Sequence, residues 1–200
     1  MHDYLGCVKA VDESVGKVLK YIDDEGFAEN TIVIYASDQG FYLGEHGWFD
    51  KRWFFEESLR TPLVVRWPGQ VKPGNVNTNL VSNLDFAETF LDIAGQPVPA
   101  EMQGRSLVPI LRGQTPADWR KVFYYHYFEF PAPHHVRPHY GVITDSFKLV
   151  HFYGTDVDYW ELFDTKKDPQ EMTSVYDNTE YRAVRTGLEA DLKRLRVDLK

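Results

Sequence analysis

The chain has 200 residues, 43% hydrophobic and 15% aromatic, with a formal charge of −8 and a pI near 5.3. That is enough apolar material for the core of one large or two small units, and it excludes a disordered chain. The acidic balance argues against nucleic-acid or membrane-surface partners, a single cysteine excludes an internal disulfide framework, and no run reaches the roughly 18 apolar residues of a membrane span.

Tyr4, Val8, Val11, Val15, Val18, Leu19 and Ile22 recur at steps of three and four and predict an amphipathic helix stopped by Gly26. Cys7 lies beside this stripe, where a buried, unreactive thiol is expected. No basic stretch followed by an apolar run opens the chain, so no secretory leader is expected at this end. Thr31 to Ala36 is a β-branched run without polar alternation, as in a strand buried on both faces of a parallel sheet. Pro62 to Trp67 predicts a second buried strand, and Leu80-Val81-Ser82 a short third one. Asp85 with Glu88 reads as a capping box opening a helix over Phe86–Ala94, closed by Gly95. Gln96 to Asp118 is rich in Pro and Gly and reads as a crossing loop. Four strands follow, within Val122–Tyr125, Tyr140–Thr144, Phe147–Phe152 and Tyr159–Phe163, and form a small antiparallel sheet. Tyr181, Val184, Leu188, Leu192, Leu195 and Leu199 then lie at helical spacing, as on a helix that covers that sheet.

The order of elements predicts an α/β layer architecture with ligands at the carboxyl ends of the strands, which places Ser37-Asp38-Gln39-Gly40 at such an end. The segment Ser37-Asp38-Gln39-Gly40-Phe41-Tyr42-Leu43-Gly44-Glu45-His46-Gly47-Trp48-Phe49-Asp50-Lys51-Arg52 closely resembles the type I sulfatases of the alkaline-phosphatase-like superfamily. The likeness continues through Glu57, Arg60-Thr61-Pro62, the Asp85 helix, Gln103-Gly104-Arg105-Ser106-Leu107, Phe147-Lys148-Leu149 and Asp168-Pro169-Gln170-Glu171. It implies that residues 1–118 are part of an alkaline-phosphatase-like mixed sheet flanked by helices. Residues 119–200 would be a small C-terminal subdomain with an antiparallel sheet and a terminal helix.

The resemblance also implies chemistry. Asp38 and Gln39 match a strand-end pair of metal ligands for Ca2+, with Mg2+ possible, since carboxylate and amide oxygens suit hard cations. Such an ion takes about 6 to 8 oxygens, so the remaining ligands are expected upstream. Lys51 matches the lysine that contacts the substrate sulfate, with Arg52 as a further substrate contact; on the residues alone both could sit on a solvated loop. His46 could line the pocket, act as an acid or simply pack the loop. His126 and His139 lie in a proline-punctuated aromatic stretch that could overhang the site and contact the sugar. Glu57 and Arg60 could pair across one helical turn.

The family nucleophile is a formylglycine made from the cysteine of a Cys-x-Pro-Ser-Arg run. Cys7-Val8-Lys9-Ala10-Val11 has neither the proline nor the arginine, so the formylglycine is expected in an N-terminal half outside this sequence. The expected function is therefore that of a sulfuric ester hydrolase segment. Its parent would act on a sulfated carbohydrate outside the cytosol, in periplasm, extracellular space or lysosome. Phe49-Asp50-Lys51-Arg52 followed by Glu56 and Glu57 looks most like the glucosamine 6-sulfatases. The alternatives are a phosphate or phosphonate ester hydrolase of the same superfamily, or a truncated, non-catalytic carbohydrate-binding module.

Overall fold

In the computed structural model, which describes residues 1–199, the first helix α1 (His2–Asp24) runs over the predicted stretch. It ends before Gly26, whose φ of 73° glycine adopts without strain. Its apolar stripe is not buried. Val11, Val15 and Val18, with Ile34 of the following strand, line an open apolar groove of about 460 Å³. Cys7 is exposed on this helix, not buried as its place beside the stripe suggested; no residue of α1 is buried in the described chain.

The run after α1 forms β1 (Val33–Ala36), and it pairs antiparallel with β4 (Leu63–Arg66) in a two-stranded ribbon, not in a parallel sheet. The opposed residues Tyr35 and Val64 are both exposed. A continuous apolar run encodes two faces that tolerate burial, but it specifies neither the neighbour nor its direction. Between these strands, β2 (Tyr42–Leu43) and β3 (Phe49–Asp50) make a second small ribbon, followed by the one-turn helix α2 (Glu56–Leu59).

Leu80–Ser82 is not a strand. Its backbone polar groups are taken by side chains: Trp119 Nε1 donates to Leu80 O at 3.0 Å, and Ser82 N donates to Asp85 Oδ2 at 2.7 Å. The helix α3 (Asp85–Ile93) begins where expected, but not through a capping box. Asp85 is inside the first turn and fully buried, where its carboxylate also accepts from Arg105 N and from both terminal nitrogens of Arg120. Glu88 is buried against Gly104, far from any reciprocal cap. The Pro-Gly-rich crossing contains a short helix, α4 (Val108–Leu111), with a proline in its first turn. Leu107, Ile110 and Trp119 make a small core there with Leu63 and Phe86.

The second half folds as read. The strands β5 (Phe123–Tyr127), β6 (His139–Ile143), β7 (Phe147–Tyr153) and β8 (Asp158–Asp164) form a four-stranded antiparallel meander in chain order. One face packs Val142, Leu149 and Leu162 against Leu188 and Leu192 of α5 (Arg182–Asp198), with Tyr181, Val184 and Leu195 around them. Each fully buried leucine contributes about 1.5–3 kcal/mol of transfer free energy. The other face presents Val150, Phe152 and Phe163 to Phe54, Phe55 and Trp53 from the segment between β3 and α2. Gly141 makes this contact feasible: a Cβ there would stand 2.9 Å from the Phe54 ring and 2.2 Å from Leu149 O. Two layers of core therefore lie on opposite faces of one sheet, and the inner layer seats the sulfatase-like segment.

Candidate active site

The sulfatase-like segment runs from the end of β1 to α2 and turns about one buried residue, Ser58. Ser58 O accepts from Gly40 N at 2.9 Å and from Gln39 Nε2 at 2.9 Å. Its Oγ accepts from Gln39 Nε2 at 2.8 Å and from Arg52 N at 2.9 Å. The strand-end pair and the Lys51-Arg52 loop are thereby held to the same serine. Asp38 is exposed, its backbone carbonyl accepts from Asn83 Nδ2 at 3.2 Å, and its carboxylate has only a 3.5 Å approach from Ser37 Oγ.

Lys51 is half-buried, and among the described residues it makes no ion pair. Its neighbour Asp50 is committed elsewhere: Arg52 Nη1 donates to Asp50 Oδ2 at 2.6 Å, and His134 Nδ1 lies 3.4 Å from the same oxygen. Arg52 Nη2 stands 2.9 Å from His134 Nε2. Arginine only donates, so Nε2 accepts and the neutral ring carries its proton on Nδ1, facing Asp50. Asp50 and Arg52 have φ of 91° and 98°, in the left-handed region that costs a non-glycine residue of order 1 kcal/mol or more. The chain thus holds strained backbone on both sides of Lys51. The Asp50, Arg52 and His134 cluster joins residues far apart in sequence, and of the three the sequence pointed only to Arg52 as a substrate contact.

His46 is also left-handed, with φ of 54°. Its ring stacks on Phe55 with centroids 4.1 Å apart, and Nε2 lies 3.5 Å from Glu57 Oε2. Glu57 therefore faces His46, and the Glu57–Arg60 pair suggested by spacing is absent among the described ion pairs. Glu45, His46, Glu57, Gln170 and Met172 enclose a polar hollow of about 200 Å³. Nearby, Tyr42 is fully buried, and its hydroxyl is pushed well above the usual tyrosine range by burial and then by the Glu57 charge.

The two histidines expected over the site do not share a face. His126 is opposite Tyr140 and Tyr127 is opposite His139, so alternation sends the two imidazoles to opposite sides of the sheet. His126 lies on the α5 side, its Nε2 2.8 Å from the Tyr153 hydroxyl. His139 is on the side of the sulfatase-like segment, but it is fully buried among Trp53, Phe54, Tyr125, Tyr127 and Phe152 and has no surface to offer a sugar. Its Nδ1–H donates to Arg137 O at 2.8 Å.

Burial lowers the His139 pKa from 6.5 to about 4. The unfolded chain then takes up a proton that the folded chain refuses, so the stability this neutral histidine permits is intact above pH 6.5 and lost as pH falls toward 4. The loss is about 3 kcal/mol once both states are protonated. We expect the urea midpoint to fall between pH 6.5 and 4, and His139→Phe to flatten that fall. An equal slope in the variant would mean that other groups carry the acid sensitivity.

Comparison with known proteins then places this geometry. The family model described as N-sulphoglucosamine sulphohydrolase, C-terminal, matches residues 44–198. The N-acetylglucosamine-6-O-sulfatase of Bacteroides thetaiotaomicron is 54% identical over 183 residues, which is 90% of this chain and 33% of that protein. The human N-acetylglucosamine-6-sulfatase is 41% identical over 113 residues, 56% of this chain and 20% of that protein. A solved structure described as being in complex with its substrate D-glucosamine-2-N,6-O-disulfate superposes with a TM-score of 0.92 at 49% identity, over 96% of this chain and 39% of that one. The phosphonate monoester hydrolase of Agrobacterium radiobacter superposes with a TM-score of 0.79 at 29% identity, over 95% of this chain and 40% of that one. The chain thus spans about a third of the length of the Bacteroides sulfatase it resembles.

Proposed function

Since the chain belongs to the sulfatase family defined by the N-sulphoglucosamine sulphohydrolase C-terminal region, we propose that it supplies the C-terminal part of an enzyme hydrolysing the 6-O-sulfate ester of a glucosamine-type sugar. The observation that supports this reading is the half-buried Lys51, which makes no ion pair among the described residues and precedes Arg52, whose backbone N donates to the same Ser58 Oγ that accepts from Gln39 Nε2. An ammonium held in a partly dehydrated loop meets charge developing on sulfate oxygens without first breaking an ion pair. Asp50 and Arg52, which flank Lys51 in the sequence, cluster with His134 and offer both acceptors and donors to sugar hydroxyls.

A metal ion belongs to this family's chemistry, and the donor set fits a hard one. The Gln39 amide nitrogen is used twice on Ser58, which leaves its oxygen, while the Asp38 carboxylate is exposed. We take Ca2+ as the ion, with Mg2+ second; when bound it would neutralise and orient the sulfate oxygens. The attacking group is the formylglycine of the family, which these 200 residues do not supply, since the run after Cys7 has neither the proline nor the arginine of the family motif. On this reading the enzyme works outside the cytosol.

A second reading, hydrolysis of phosphonate or phosphate monoesters, draws on the Agrobacterium likeness. Charge separates sulfate from phosphate monoesters, which carry one and nearly two negative charges at neutral pH, while a phosphonate monoester carries one like sulfate; the 54% identity to an N-acetylglucosamine-6-O-sulfatase, against 29% to the phosphonate monoester hydrolase, favours sulfate. The test joins this chain to a sulfatase N-terminal segment and assays both ester types. We expect glucosamine 6-sulfate to be the preferred substrate and Lys51→Ala to lower kcat/KM by about 100-fold or more with an unchanged melting temperature. The 200-residue chain alone should show no turnover. Preferred phosphonate cleavage, or an unaffected Lys51→Ala variant, would overturn the reading.

A further inference from the structure

We infer that Ser58 is a positioning residue that fixes which end of the Gln39 amide faces the cation site; this rests on the proposed metal role of Asp38 and Gln39. An amide side chain presents an oxygen or a nitrogen with nearly the same shape, and only the oxygen can ligate a hard cation. Ser58 resolves that choice. Its backbone carbonyl can only accept, so the Gln39 group 2.9 Å away has to be the nitrogen. The same nitrogen also donates to Ser58 Oγ at 2.8 Å, which satisfies both of its protons and sets the plane of the amide. The carbonyl oxygen, at the other end of that plane, has no hydrogen-bond partner among the described residues.

Ser58 is built for this work. It is 1% exposed, so water does not compete for its acceptors. Its Oγ simultaneously receives Arg52 N at 2.9 Å, so the orientation of Gln39 and the entry to the Lys51 loop are set by one oxygen. Its carbonyl also receives Gly40 N at 2.9 Å, which locks the backbone on the other side of Gln39. The arrangement predicts something a simple ligand count does not. A carboxylate at position 39 adds a charge that should tighten calcium binding. It has no proton to give Ser58 O, however, and the carbonyl lone pairs repel it from the seat the amide occupies.

The test follows the side-chain amide of Gln39 and the backbone of Asp38 by NMR in the 15N-labelled chain joined to the sulfatase N-terminal segment that supplies the remaining ligands, during calcium titration into the millimolar range, where weak oxygen sites bind. Ser58→Ala should weaken calcium binding by about tenfold or more, the usual consequence of removing a group that orients a ligand. Gln39→Glu, read at Asp38, should bind no more tightly than the parent chain. A serine with only a packing role would lower the melting temperature and leave the titration unmoved. If the joined parent protein shows no calcium-dependent shift at either residue, the metal reading falls and this inference with it. If the parent responds and Ser58→Ala or Gln39→Glu binds as well or better, the metal reading stands and the role of Ser58 is refuted.

Discussion

Replacing Lys148 by methionine should destabilise the chain by about 3–5 kcal/mol, the scale of a buried ion pair deprived of one partner. Lys148 sits on β7 with no exposed surface, its Nζ 2.7 Å from Glu56 Oε1 and 2.8 Å from Glu171 Oε1. Glu171 is equally buried, has φ of 52°, and uses its second oxygen to accept from Glu56 N at 2.8 Å. Without the ammonium, the buried Glu171 carboxylate is left facing that of the partly exposed Glu56. Burial already raises the Glu171 pKa, and Lys148 is the main influence lowering it. In the variant the folded carboxyl therefore stays raised above its unfolded value, so the penalty is full at neutral pH and shrinks as pH falls through that raised pKa. Urea melts at pH 7 and pH 5 should show a larger deficit at pH 7. Lys148→Met combined with Glu171→Leu should recover most of the loss, because a matched apolar pair costs little in place of a buried charge pair. A deficit below about 1 kcal/mol, the level of an exposed pair, would show that the cluster is solvated.

This cluster also ties the second half of the chain to the site. Glu56 opens α2, the turn that carries Ser58, so the Lys148–Glu171 clamp holds the hub of Gln39 and Arg52 from the C-terminal sheet. Phe147-Lys148-Leu149, also read as part of a strand, and Asp168-Pro169-Gln170-Glu171 stood out in the sequence as marks of resemblance. In the structure they are the two ends of one clamp.

The parts of the fold legible in sequence are those whose signals are local. The meander β5 to β8 shows apolar runs broken by turn residues, and α5 carries a clean stripe, so both lie close to the predicted spans. The apolar run at β1 was legible as a strand, but its antiparallel partner and open faces were not, because a pattern of burial does not name a neighbour. Leu80–Ser82 failed as a strand since its backbone is satisfied by Trp119 and Asp85, and side-chain capture of this kind leaves no periodicity. Asp85 and Glu88 met the spacing of a capping box, yet tertiary partners outbid the local ones. The site shows the same division. Asp38, Gln39, Asp50, Lys51 and Arg52 lie within one short segment and could be found by motif, whereas Ser58 and His134 acquire meaning only through folded contacts. That His126 and His139 face opposite ways follows from the pairing register of β5 with β6, which the loop between them does not reveal.

The second large effect is expected at Gly40, where alanine should cost about 2–4 kcal/mol, toward the upper end of what overpacking does. The reason is space, not backbone angle: Gly40 is not among the left-handed glycines, but a Cβ placed on it would stand 1.9 Å from Glu57 O and 2.8 Å from Glu57 C. Those are main-chain atoms of α2, so no side chain can swing aside, and the strand end has to retreat from the helix. Retreat breaks the Gly40 N to Ser58 O bond and lifts Gln39 Nε2 from both of its acceptors. Stability and the orientation of the Gln39 amide are then lost together. Gly187 provides the control, since it lies inside α5 with nothing within 4 Å of its would-be Cβ. There the same substitution removes only the entropic handicap of glycine in a helix and should stabilise by about 0.5–1 kcal/mol. Urea unfolding of the two variants in parallel should therefore move the midpoint in opposite directions. A neutral Gly40→Ala would mean that α2 is not packed against the strand end, and the hub at Ser58 would lose its physical basis.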